Sequence, residues 1–202
     1  MSVTKFPSTR KVRGNPPFLP GSAHAARSIG FSTQSENLGH YSLHSCSEEV
    51  FWRSVRQSSI SITPRGRDVV KLMFEGEREP FVGRLPLTAI DVMGTPYLDC
   101  VLASSQAYAE AMRLDLFLCP AEMALPLLAF YSWKIIDGSN GTCLFAHIPV
   151  TTRTYGPLTL ALRWKECKLY LTGIDCLRGS ERVEGPVRYV FHGSPKIVSL
   201  FA

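Results

Sequence analysis

The first 35 residues of the chain contain no acidic residue, although the rest of the sequence is balanced in charge. Of the 22 basic residues, five stand before Glu36, the first acidic one, which leaves 17 basic against 17 acidic residues. A charged arm on a neutral body acts by attraction to polyanions or anionic membranes. We predict that the arm binds such a partner through five residues: Lys5, Arg10, Lys11, Arg13 and Arg27.

The sequence also lacks a hydrophobic run long enough to cross a bilayer. The longest apolar run, from Ala121 to Trp133, includes Glu122 and Pro126. A membrane-spanning helix needs about 20 predominantly apolar residues. We therefore expect no transmembrane segment.

Motifs of common enzyme sites are absent as well. The chain has no phosphate-binding loop, no dinucleotide-binding glycine motif and no Gly-x-Ser-x-Gly. His40, His44 and Cys46 lie close together in sequence, but a second pair of metal ligands is missing. His147 stands alone in an apolar segment and is expected to be a hydrogen-bonded structural residue. We expect no catalytic residue, no metal and no cofactor, and thus a protein that is not an enzyme.

No two of the six cysteines have the spacing Cys-x-x-Cys, and most are flanked by apolar residues. Unpaired cysteine is among the most frequently buried residue types. This pattern predicts core thiols and an intracellular, reducing compartment. The cysteines are Cys46, Cys100, Cys119, Cys143, Cys167 and Cys176.

The chain divides into two parts by composition. Residues 1–40 are rich in serine, proline, glycine and basic residues and show no hydrophobic periodicity, which predicts an extended or flexible basic arm. Residues 41–202 are expected to form one compact domain. Three helices are predicted in it: one from Cys46 to Gln57 capped by Ser45, one capped by Ser104 or Ser105, and one starting at Pro120. 

Strand signals fill the remainder. A hairpin is predicted over residues 58–76, with its turn at residues 64–66. Residues 81–93 are rich in strand-forming residues but contain Pro86, which predicts an edge strand or a bulge. The last third alternates in hydropathy and predicts several strands, two of them in a hairpin around Lys165 and Glu166. The expected fold class is α+β, a single domain of mostly antiparallel strands with two or three helices.

A proline-containing strip in the arm is a second candidate binding element. Prolines stiffen the chain in an extended form that docks into grooves with aromatic walls. We predict partner docking by Pro16, Pro17, Phe18, Leu19 and Pro20.

A short basic, proline-bearing arm before one α+β domain of this size resembles the organisation of matrix proteins of negative-strand RNA viruses. The resemblance implies a viral structural protein that self-associates, contacts a nucleocapsid and binds beneath a membrane. Members of that family often carry a Pro-Pro-x-Tyr motif in the arm. Leu19 follows Pro16, Pro17 and Phe18 here, so the motif and its function are not carried over.

The leading hypothesis is therefore a viral matrix-like or capsid-like homo-oligomer. Its arm binds nucleic acid, nucleoprotein or an anionic membrane, in the host cytoplasm and the virion. Two alternatives stay open. The acid-free segment also has the composition of a mitochondrial transit peptide, with a processing site near Ser32 and a mature protein in the mitochondrial matrix. A small enzyme whose site is assembled from distant residues is the other alternative.

Overall fold

The computed structural model describes residues 31–76, 83–94, 96–119, 121–135, 141–177 and 181–193. The elements in chain order are β1 (Ser32–Leu43), α1 (Glu48–Gln57), β2 (Ser61–Ile62), α2 (Pro64–Glu75), β3 (Gly83–Met93), β4 (Tyr97–Asp99), α3 (Cys100–Arg113), α4 (Ala121–Ile135), β5 (Thr142–Phe145), β6 (Val150–Thr152), β7 (Gly156–Lys165), β8 (Lys168–Ile174), β9 (Arg182–Glu184) and β10 (Val187–His192).

The large sheet has the strand order β1-β3-β10-β5-β7-β8-β2, with β6 added alongside β7. Most neighbours are antiparallel; β10 with β5 and β8 with β2 are the parallel pairs between the described strands. A second, two-stranded sheet pairs β4 with β9. The prediction of a single α+β domain with mostly antiparallel strands is confirmed, with four helices in the described residues instead of two or three.

Helices cover both faces of the large sheet. Strand β5 shows the two faces directly: Cys143 and Phe145 belong to a core with α1, α2 and α4, whereas Leu144 belongs to a core with α3. Successive side chains of a strand point to opposite faces, so the sheet is the middle layer of three. On the second face, α3 approaches the strands through alanines spaced four residues apart, Ala103, Ala107 and Ala111.

The helix starts differ slightly from the predictions. Helix α1 is capped by Ser47, whose side chain accepts a hydrogen bond from the Val50 N–H, and not by Ser45. Helix α3 begins earlier than expected because Asp99 caps it, its Oδ1 accepting from Val101 N and Leu102 N. The acidic side chain lies at the positive end of the helix dipole, which favours this start.

The predicted hairpin over residues 58–76 is wrong, because helix α2 follows the short strand β2. The Thr63 side chain caps the helix and Pro64 occupies its first turn, where a missing N–H costs nothing. Val69, Val70 and Met73 are buried together at helical spacing. Their apolar run predicts a strand as readily as a helix, because its period is ambiguous over so short a stretch.

Strand β3 is not an edge strand, since it lies between β1 and β10. The backbone at Pro86 is satisfied at the end of β10, where the Pro86 carbonyl accepts from Gly193 N at 2.9 Å. The Gly193 carbonyl, which cannot receive an N–H from proline, accepts the Thr88 hydroxyl at 2.7 Å. The register irregularity lies in the neighbouring strand β1, where Leu38 is the additional residue.

The expected boundary between residues 40 and 41 falls inside β1, so residues 32–40 belong to the sheet and not to an arm. The hairpin of β7 and β8 is confirmed. Its turn residues are Glu166 and Cys167, both with positive φ, as a tight two-residue turn requires. No helix in the described ranges is long and apolar enough to span a membrane.

Candidate assembly edge

Strand β1 lies at one end of the large sheet and is paired on one side only. It pairs with β3 along its length, from Ser32 opposite Met93 to Leu43 opposite Gly83. In the described part of the chain, no strand pairs with its other side. Such a strand presents backbone N–H and C=O groups that can pair with another chain.

The last residues of β1 are covered by α4. The Tyr131 hydroxyl donates a hydrogen bond to the Ser42 carbonyl at 2.8 Å. Its ring meets the Tyr41 ring edge-to-face, with centroids 4.9 Å apart. Among the described strands, none pairs with the outer side of residues 32–37, which precede the bulge at Leu38; we call this stretch the open edge.

The open edge has few of the features that protect edge strands from pairing. Its sequence, Ser-Thr-Gln-Ser-Glu-Asn, contains no proline and no lysine, and five of its six side chains are exposed. Natural edge strands are often blocked by such residues. Glu36 is its single charge, and that charge already contacts Arg188. The bulge at Leu38 limits continuous pairing to the residues before it.

A partly buried ion pair connects the open edge to the two neighbouring strands, β3 and β10. Arg188 on β10 donates to both carboxylate oxygens of Asp91 on β3, each at 2.8 Å, and to Glu36 on β1 at 3.0 Å. The Arg188 and Asp91 side chains are 15% and 19% exposed, whereas Glu36 is 53% exposed. Hydrogen bonding to Asp91 raises the pKa of Arg188 above its usual value. The guanidinium therefore stays charged and holds three strands in register.

The open edge directly continues the basic segment. Phe31, the first described residue, packs against the α3-side core. Its ring fills the space beside Gly94, where an added Cβ would lie 2.7 Å from the Phe31 ring. The predicted polyanion-binding residues all lie outside the described residues, and so does the predicted docking strip: Lys5, Arg10, Lys11, Arg13, Pro16, Pro17, Phe18, Leu19, Pro20 and Arg27.

The single histidine of the apolar segment is hydrogen-bonded, as predicted. His147 is fully buried; its Nδ1 donates to the Ile148 carbonyl at 2.7 Å, and its Nε2 accepts from Leu160 N at 3.1 Å. His40 and His44 are exposed and Cys46 is half-buried. Across the described ranges, no three histidine, cysteine or carboxylate side chains are grouped closely enough to hold a metal.

Core thiols are confirmed for four of the six cysteines, since Cys100, Cys119, Cys143 and Cys176 are buried. Burial raises the pKa of the Cys119 and Cys143 thiols to about 12 each. Cys46 is half-buried, and Cys167, in the β7–β8 turn, is exposed.

Two parts of the site cannot be predicted from local sequence patterns. The open edge has no apolar alternation, so the sequence places residues 32–37 in the arm. Arg188 and Asp91 are 97 residues apart and come together only through strand pairing. One feature of the sequence does indicate the ion pair: Asp91 and Arg188 are charged residues inside otherwise apolar strands, where a charge needs a partner.

The chain has no match among the family models, the curated proteins or the solved structures with which it was compared.

Proposed function

We propose that this protein is a non-enzymatic structural protein that self-associates through the open edge and binds a polyanion through its basic arm. The observation that carries the proposal is the position of the open edge: it closely follows the basic segment and pairs with no other described strand on its outer side. One short region of the chain then supplies both contacts.

The self-association contact is an antiparallel pairing of two open edges around a two-fold axis. Such an isologous contact closes after two copies and joins two sheets into one. The centre lies between Gln34 and Ser35, which places Glu36 of one copy opposite Thr33 of the other. That register avoids two like charges facing each other, which destabilises cross-strand pairs.

The pairing brings two arms together on one assembly. The two Ser32 residues lie at opposite ends of the paired stretch, about 17 Å apart along the strands. Each arm adds five positive charges. Two linked arms bind one polyanion more tightly than a single arm, since the second contact is intramolecular. This arrangement supports the viral matrix-like role that the organisation of the sequence suggests.

The edge contact is tested by measuring the mass of the full chain in solution over a range of concentrations by light scattering. Gln34→Lys places a charge in the open edge and is expected to shift the dimer towards monomer. The matched control is Gln57→Lys, which makes the same change at an exposed position at the end of α1. Equal masses for the two variants at every concentration would overturn the edge contact.

The polyanion contact is tested by binding to single-stranded RNA and to vesicles containing phosphatidylserine as salt is raised. For RNA, five contacts predict that log K falls with a slope of about −3.5 against log salt concentration. Replacing the five basic residues of the arm with glutamine is expected to abolish this dependence. The matched control neutralises five exposed basic residues of the body: Arg56, Arg67, Arg153, Lys165 and Lys168.

The same binding experiment identifies which polyanion the arm binds. Arm-dependent binding to RNA alone identifies a nucleic-acid protein, and binding to vesicles alone identifies a membrane-associated one. If the arm variant binds both probes as tightly as the parent does, the arm is not the binding element.

A transit peptide remains the second candidate, favoured by one observation. Strand β1 begins at Ser32, so cleavage near that residue leaves every described strand and helix intact. The intact mass of the natural protein decides between the two: a chain beginning near Ser32 has lost the arm and with it the proposed polyanion contact. The four buried thiols support a reducing compartment on either proposal.

A further inference from the structure

The small two-stranded sheet presents an exposed tyrosine. Strand β4 pairs with β9, which places Tyr97 opposite Glu184 and Leu98 opposite Val183. Leu98 and Val183 are fully buried in the α3-side core. Because successive side chains of a strand point to opposite faces, Tyr97 and Glu184 lie on the face turned away from that core. At 60% exposure, Tyr97 is the most exposed large hydrophobic side chain in the described part of the chain.

This tyrosine lies beside the point where the basic arm joins the fold. A Cβ added to Gly94 would lie 2.7 Å from the Phe31 ring and 3.0 Å from the side chain of Leu98, the residue after Tyr97. The Phe31 ring and the start of β4 are therefore close together. Arg27 is four residues before Phe31, and four residues of extended chain span at most about 14 Å. The positive charge of the arm thus begins close to Tyr97.

Charged side chains flank Tyr97 on the same face of β4 and β9. Glu184 is half-buried and lies directly opposite Tyr97; Arg182, two residues earlier on β9, is exposed and is its diagonal neighbour. Diagonal neighbours in a sheet are within reach of aromatic and long side chains. Aromatic rings and arginine side chains are the groups on which proteins stack unpaired bases.

We infer that Tyr97 stacks on an unpaired base of single-stranded RNA whose phosphates are bound by the arm. The inference rests on the proposed polyanion contact of the arm. The phosphates complement the five positive charges of the arm and the charge of Arg182. The tyrosine ring offers a flat surface that fits every base, so the contact needs no particular sequence.

A membrane surface fits this face less well than a base does. Exposed tyrosines also anchor proteins at the bilayer interface. Insertion of Tyr97 would, however, remove Arg182 and Glu184 from water and bring Glu184 close to anionic headgroups. The edge of a base carries hydrogen-bond donors and acceptors, which suit both of these charged side chains.

The test measures binding of the full chain to a short single-stranded RNA and to the same RNA paired with its complement. Tyr97→Ala is expected to weaken binding of the single strand about 5- to 150-fold, the effect of losing one stacked base. Binding of the duplex should not change, because its bases are already stacked on one another. Tyr97→Phe keeps the ring and should bind like the parent. So should the matched control Ile148→Ala, which removes another exposed apolar side chain.

Salt dependence separates this inference from the proposed arm contact. Tyr97→Ala removes no phosphate contact, so the slope of log K against log salt concentration should stay that of the parent. If the arm variant flattens the slope while Tyr97→Ala binds like the parent, only the base contact fails. If the arm variant binds RNA like the parent, the arm contact fails and this inference fails with it.

Ultraviolet cross-linking of the parent protein to the single-stranded RNA checks the contact without any substitution. The expected result is a cross-linked peptide that contains Tyr97, and this readout decides alone should Tyr97→Ala fail to fold. Three results would overturn the inference: no cross-link at Tyr97, an equal loss of affinity for single strand and duplex in Tyr97→Ala, or a parent protein that binds phosphatidylserine vesicles but no RNA.

Discussion

Arg188 donates two parallel hydrogen bonds of 2.8 Å to the carboxylate of Asp91, which lies directly opposite it on the neighbouring strand. Both side chains are less than one-fifth exposed. A fork-to-fork pair of this kind fixes geometry as well as charge. Because Glu36 contacts the same guanidinium, the position of the open edge depends on a pair formed by the next two strands of the sheet.

Removing one partner of this pair should destabilise the fold. Asp91→Asn leaves the Arg188 charge partly buried without its main counter-charge, and we expect a loss of about 2–4 kcal/mol in the free energy of unfolding. Glu36→Gln should cost less than about 1 kcal/mol, because Glu36 is half-exposed. Denaturant titration of both variants measures the difference. Equal losses would show that the Arg188–Asp91 pair stabilises the fold no more than the contact between Glu36 and Arg188 does.

The same pair shows how far sequence reasoning reaches. Local patterns are sufficient for α1, for the strands of the last third and for the β7–β8 turn, because each is decided by neighbouring residues. The partner of Arg188 is decided by strand order, which depends on contacts between distant segments. The order β1-β3-β10-β5 cannot be read from any one window of the sequence.

In the region around α2, a local pattern is present but does not decide between a helix and a strand. Its apolar run fits a strand and a helix equally well over so few residues. Burial of Val69, Val70 and Met73 against the sheet decides in favour of the helix. Of the candidate site, the sequence predicts only the basic arm. The open edge cannot be predicted, because its residues carry neither hydrophobic alternation nor a turn signal.

Gly66 provides a test of the close packing between α2 and β8. A Cβ at this position would lie 2.4 Å from the Leu171 carbonyl oxygen, a backbone atom that cannot move aside cheaply. Helix propensity alone predicts that Gly66→Ala stabilises α2 by up to about 1 kcal/mol. We expect a net loss of about 1–3 kcal/mol instead, because overpacking outweighs propensity.

Thermal or denaturant unfolding of Gly66→Ala gives the sign directly. The control is Gly39→Ala, where nothing lies within 4 Å of the added Cβ and the cost comes only from a φ of +86°. A stabilised Gly66→Ala would show that β8 and α2 are not packed this closely.

His192 should make the stability of the protein depend on pH in the weakly acidic range. Burial lowers the pKa of His192 below its ordinary value of 6.5, and its Nδ1 is buried without a hydrogen-bond partner among the described residues. The Phe117 ring beside it, with centroids 5.8 Å apart, offers no counter-charge. The folded protein therefore favours the neutral imidazole, whereas the unfolded chain takes up a proton near pH 6.5.

The sign follows from linkage. Below pH 6.5 the unfolded state binds more protons at this position than the folded state, so stability falls as the pH falls. Above pH 6.5 both states are neutral and the contribution of His192 is constant. We expect His192→Gln to flatten the loss of stability between pH 6.5 and the lower folded pKa, and the exposed control His44→Gln to leave it unchanged. Denaturant midpoints measured every half pH unit would show this, and parallel curves for parent and His192→Gln would mean that another group carries the acid sensitivity.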